Sequence, residues 1–126
     1  MASTDKSKVK SPVVWFDIPC VDLDRAIGFY SAVLAVEVMK TVGPGFSMGI
    51  LPHGDVGGCL AVMGDNAPSE RGPLIYLNCD GRLEAAVAAV VPNGGQVLEP
   101  KHAIGPHGFR AIIKDSEGNR LALHSN

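Results

Sequence analysis

The sequence predicts an α+β fold in which two tandem βαβββ modules curl their mixed sheets around an open cleft. Three observations carry this expectation. First, Gly 15 plus Pro 9 make 24 of 126 residues, about 19% against an ordinary ~12%, while aromatics reach only 6%. With 46% hydrophobic residues, that balance predicts short elements joined by tight turns, neither a helical bundle nor disorder. Second, β-rich runs bounded by Gly and Pro alternate with two amphipathic helical runs. Third, the order of elements occurs twice. Asp22 and Asp80 open the helical runs 58 residues apart, and Val36 and Gln96 open the following strands 60 apart.

Residues 13–18 (VVWFDI) form a β-rich run closed by Pro19. Asp22 and Asp24 offer N-caps ahead of Ala26, Phe29, Tyr30 and Val33, whose spacing of three and four predicts a helix of about three turns. Strand runs at 36–41, 46–51 and 57–63 are separated by Gly43-Pro44-Gly45 and by Pro52-His53-Gly54-Asp55, where His53 reads as a hairpin residue. A polar connector, 64–72, divides module one (12–63) from module two (73–126). There a strand at 74–77 precedes a helix within 80–91, stopped by Pro92-Asn93-Gly94-Gly95. Strands at 96–98, 109–114 and 120–124 complete the second copy, with residues 99–108 (EPKHAIGPHG) reading as a flap over the cleft mouth.

This length suits one domain, with residues 1–11 as a disordered tail. The first ten residues lack the apolar segment of a secretory signal. With 11 Lys+Arg against 13 Asp+Glu, net −2 and no basic cluster, a nucleic-acid partner is not expected. Nor is a membrane partner, since no apolar run approaches ~20 residues. Cys20, Cys59 and Cys79 are an odd set without a C-x-x-C pair, which points to a reducing cytoplasm.

Residues 15–30 (WFDIPCVDLDRAIGFY) and 33–38 (VLAVEV) resemble the first module of the vicinal oxygen chelate superfamily, which includes glyoxalase I, bleomycin-resistance proteins and extradiol dioxygenases. Gly94-Gly95-Gln96-Val97 is similar to the segment after that family's second helix, and Asp115-Ser116-Glu117-Gly118-Asn119 to the D-x-x-G-N turn of its last hairpin. The resemblance spans roughly residues 12–125 and implies a ligand cleft, a homodimer and, for the family's enzymes, a divalent metal. That metal takes one His, Gln or Glu from each of four strands. Carried onto this chain, the first position, seven before Asp22, is Trp15, and the last, seven after Asp115, is Ala122. The other two fall at Pro73 or Leu74 and within 58–60, where Cys59 is the only donor type. The usual metal is therefore not expected, and no other cofactor is implied.

Strand alternation puts Asp17 on the face of Trp15 and His124 on the face of Ala122. The pair reads as an acid/base couple or a displaced two-ligand metal site; alternatively, Asp17 takes backbone or Arg hydrogen bonds near a strand end and His124 sits near the solvated C-terminus. Trp15, Met48, Tyr76 and Phe109 are candidate cleft walls, with Cys59 and Ala122 beside them and His102 and His107 above, although core packing or solvation explains each equally. Cys20 and Cys79, at equivalent strand ends, read as small buried hydrophobes. Two functions from different classes follow. One is a metal-free binder of a small apolar or aromatic molecule. The other is a lyase or isomerase related to lactoylglutathione lyase, working through Asp17 and His124.

Overall fold

The computed structural model describes residues 10–126, so the tail expected for residues 1–11 lies almost wholly outside the described residues. Module one contains β1 (Trp15–Pro19), α1 (Leu23–Leu34), β2 (Met39–Gly43), β3 (Phe46–Ile50) and β4 (Gly57–Ala61). Module two repeats the order with β5 (Tyr76–Asn78), α2 (Leu83–Val90), β6 (Gln96–Ala103), β7 (Phe109–Lys114) and β8 (Arg120–Ser125). The sheets have matching orders, β1-β4-β3-β2 and β5-β8-β7-β6, with a parallel β1–β4 or β5–β8 pair and antiparallel pairs elsewhere. Among the described residues no helix is long and apolar enough to cross a membrane.

The helix starts differ. Asp22 caps α1, accepting from the Arg25 amide at 3.1 Å. Asp80 does not open α2 as expected: that helix starts at Leu83 behind Arg82, without a side-chain cap. The Asp80 carboxylate instead accepts from the Asn126 amide (2.9 Å) and Ser125 Oγ (3.2 Å), tying down the end of β8. At the other end of α1, Ala35 adopts a left-handed conformation (φ 54) and the Val36 amide still bonds back to Ser31. The strand expected from Val36 consequently begins only at Met39.

A larger correction concerns residues 99–108. They are not a free flap, because β6 runs on through Pro100 to Ala103 and pairs with β7 across two register shifts. Pro100 is tolerated there because β6 is an edge strand and a bulge removes the need for its missing N–H. His102 thus stands on a strand, and only His107 lies in a turn, the 3₁₀ segment Gly105–His107.

α1 packs against α2, and the helix-covered faces of both sheets share one core. Ile18, Phe29, Val33 and Leu60 meet Leu77, Val90, Ile113 and Leu123 in it. Cys20 and Cys79 are buried in the same core as free thiols. The Asp115–Asn119 turn of module two clamps the start of α1. Tyr30 donates its hydroxyl to Asp115, Asn119 Nδ2 donates to the Pro19 carbonyl (2.7 Å), and Glu117 accepts from the Val21 and Asp22 amides and from Arg25. Burial alone would raise Glu117, but these donors outweigh it and hold the carboxyl down to about 2. Burial, reinforced by the Asp115 charge, pushes the Tyr30 phenol well above its ordinary range. The two modules are thereby joined by both a shared core and this polar clamp.

Candidate functional site

Because Ile18, Leu60, Leu123 and Ile113 face the helices, their strand neighbours face the other way. The face turned away from the helices carries Trp15, Asp17, Met48 and Cys59 in module one and Tyr76, Arg110, Ala122 and His124 in module two, with Cys59 and Ala122 themselves buried. Phe109 has the parity of Ile113 and lies on the helix side, with Lys101 Nζ 4.9 Å from its ring centroid and Lys101 paired with Glu84 of α2 at 2.7 Å. It is not a wall of the cleft. Strand alternation leaves its face open, because which face is covered depends on where the shared core lies.

One hydrogen bond aligns the two copies. The Cys20 amide donates to the Ala61 carbonyl (2.9 Å), and the Cys79 amide donates to the His124 carbonyl (2.7 Å). Counting back from these anchors matches Trp15 with Leu74, Asp17 with Tyr76, and Cys59 with Ala122. The antiparallel partners extend the match: Met48 with Arg110, through Ala61 and His124, and Thr41 with His102.

These pairs test the metal centre that the resemblance implies. Its four positions hold an indole (Trp15), an isobutyl group (Leu74), a thiol (Cys59) and a methyl (Ala122). Burial, then the hydrogen bond to Asp17, pushes the Cys59 thiol up to about 11, so it remains a donor, Sγ to Asp17 Oδ1 at 3.2 Å. No three His, Cys, Asp or Glu side chains among the described residues are grouped to hold a metal. These residues do not fit the metal.

Asp17 and His124 are each engaged within their own module. Asp17 accepts from Trp15 Nε1 (3.1 Å) and from Cys59. His124 Nε2 meets the His107 carbonyl at 2.6 Å, and its ring lies edge-on to Tyr76 with centroids 6.2 Å apart. Trp15 makes a similar edge contact with His53 at 5.4 Å, beside the β3–β4 connection.

The polar constellation lies in module two. Tyr76, Ile104, His107, Arg110 and His124 line a cavity of about 380 Å³. Arg110, which the sequence reading missed, is its hub: Nε donates to His102 Nε2 (3.0 Å) and Nη1 donates to the Tyr76 hydroxyl. His102 Nδ1 in turn meets the Pro100 carbonyl at 2.8 Å, which fixes that ring as donor at Nδ1 and acceptor at Nε2. A second cavity, about 250 Å³, lies at the module seam beside Asp17, Arg71 and Arg120, where Arg120 Nε is buried without a partner.

The two βαβββ modules with their helix-backed mixed sheets are the architecture the resemblance anticipated, and a family model matches residues 13–123. The chain belongs to the Glyoxalase/Bleomycin resistance protein/Dioxygenase superfamily. Within this superfamily it is 31% identical over 115 residues to a Mycobacterium bovis protein named "Putative glyoxylase CFP32", covering 86% of this chain and 43% of that protein. The chain thus spans under half the length of that mycobacterial relative. A glyoxylase-like domain-containing protein of Didymella fabae is 29% identical over 120 residues, 85% of this chain and 88% of the relative. In three dimensions the fold matches a glyoxalase/bleomycin resistance protein from Albidiferax ferrireducens T118 with TM-score 0.74 and 17% identity, covering 92% of this chain and 99% of the other.

Proposed function

We propose that this superfamily member binds a small molecule with an apolar or aromatic body on its uncovered face, without the usual divalent metal. The observation that carries the reading is the set Trp15, Leu74, Cys59 and Ala122, apolar or protonated where the superfamily's enzymes place ligands. The neighbouring cavity is walled by Tyr76, Ile104 and His124, suited to a flat apolar body held by a few polar groups. Elemental analysis after expression in metal-supplemented medium, joined to calorimetry with aromatic compounds, tests it. Binding with far less than one metal per chain is the expected result; one retained transition metal per chain would sink it.

The enzymatic alternative needs Asp17 and His124 to act on one substrate, and both are already hydrogen-bonded within separate modules. If a turnover reaction is found, Asp17→Asn and His124→Gln should leave it within about threefold. The exposed outer strands β2 and β6, with Met39 59% and Leu98 37% exposed, favour a homodimer, which light scattering would check. Three free thiols suit a cytoplasmic setting.

A further inference from the structure

Arg110 is a cation held in place without an anion among the described residues. The Tyr76 hydroxyl and His102 Nε2 take two of its five N–H groups, leaving three N–H donors beside the cavity of about 380 Å³. No carboxylate among the described residues lies within ion-pair distance of it, whereas Lys114, on the same strand face, pairs with Glu70 at 3.5 Å, and Lys101 pairs with Glu84. The Tyr76 ring stands 5.9 Å from its guanidinium carbon. Two fixed neighbours and an aromatic flank restrict the side chain before any ligand arrives, which lowers the entropy lost on binding.

We propose that Arg110 anchors the carboxylate of an aromatic or apolar monocarboxylic acid, whose body lies along Tyr76, Ile104 and His124. The inference rests on the small-molecule reading above and names the ligand class. A planar fork suits a carboxylate in two parallel hydrogen bonds, and a single unpaired positive charge matches a monoanion better than a phosphate dianion. The tyrosine–arginine–histidine arrangement exists only in module two. Module one has Asp17, Met48 and Thr41 at the matched places, so the other copy carries a Met where module two carries Arg110.

Calorimetry with 2-naphthoate and with 2-naphthalenemethanol, equal in shape but not in charge, tests this. Wild-type protein should bind the acid at least ~10-fold more tightly than the alcohol. Arg110→Met should lower acid affinity to the level of the alcohol, and Arg110→Lys should restore part of the preference. Arg120→Met, altering the seam cavity, should change neither. A circular dichroism spectrum and melting midpoint matching the wild type check that Arg110→Met is folded. Equal wild-type affinity for acid and alcohol overturns the anchor but spares the binding reading. Acid preference that survives Arg110→Met but disappears in Arg120→Met also overturns it, moving the acid to the seam. If neither compound binds wild type, the binding reading fails and takes the anchor with it.

Discussion

At matched backbone positions the two modules carry opposite chemistry. Where module one places Asp17, Thr41, Met48 and Ala61, module two places Tyr76, His102, Arg110 and His124. The comparison extends to the covered face. Module one has Gly58 under the Phe16 ring where module two has Leu121 beside Ile75. One scaffold therefore supports an apolar wall with a single carboxylate in one copy and a polar cluster in the other. Strand order and helix packing set the positions, and the side chains placed there decide the chemistry.

The comparison breaks most severely where the modules are joined. Asp115 accepts from the amides of Glu117, Gly118 and Asn119, from Asn119 Nδ2 and from Tyr30. Asp115→Ala should cost about 3 kcal/mol or more, because several buried donors lose their acceptor at once. Chemical denaturation reads the loss directly, and a cost under about 1 kcal/mol would mean that the modules hold together without this turn.

Gly58→Ala asks whether module one can carry a side chain where module two carries Leu121. Its new Cβ would run into the Phe16 ring, which packs against the core, so a loss of about 1–3 kcal/mol is expected. Phe16→Ile, copying Ile75, should recover part of it in the double variant.

Glu117 gives the pH dependence. Its carboxyl is held down to about 2 in the folded chain, below its ordinary 4.5. Its contribution is complete above about pH 4.5 and is lost as pH falls through 4.5 toward 2. In Glu117→Gln the stability above pH 5 should drop and the acid limb between pH 4.5 and 2 should flatten; an unchanged limb would remove Glu117 from the clamp. The helix ends supply the smaller effects. Asp22→Ala should lower the melting temperature by the equivalent of about 1 kcal/mol. Ala35→Gly should raise stability by about 0.5–1 kcal/mol, because glycine accepts the left-handed cap without a Cβ penalty.

Much of the fold was legible because it is written in local periodicity. The β7 run 109–114, the α1 stripe and the Gly94-Gly95 exit appear where their spacing put them. The site was less legible. Tyr76, His107 and His124 converge on one cavity, as candidates chosen one by one, but Arg110 showed no signal in the sequence. Its partnership with His102 depends on two register shifts in β6 that no local pattern records. Phe109 was misassigned for a related reason: alternation says which residues share a face but not which face is covered.

The sequence by itself determined the order of elements, its recurrence at a spacing of about 60 residues, and the absence of oxygen or imidazole donors at Trp15, at Pro73 or Leu74, and at Ala122, since residue identity and spacing are sufficient for these. The tertiary structure alone decided that Leu74 rather than Pro73 matches Trp15 and that Arg110 is gripped by residues 34 positions before it and 8 before it in the chain. Such contacts arise when bulges, strand register and a shared core are set together by long-range packing. No window of neighbouring residues contains that information.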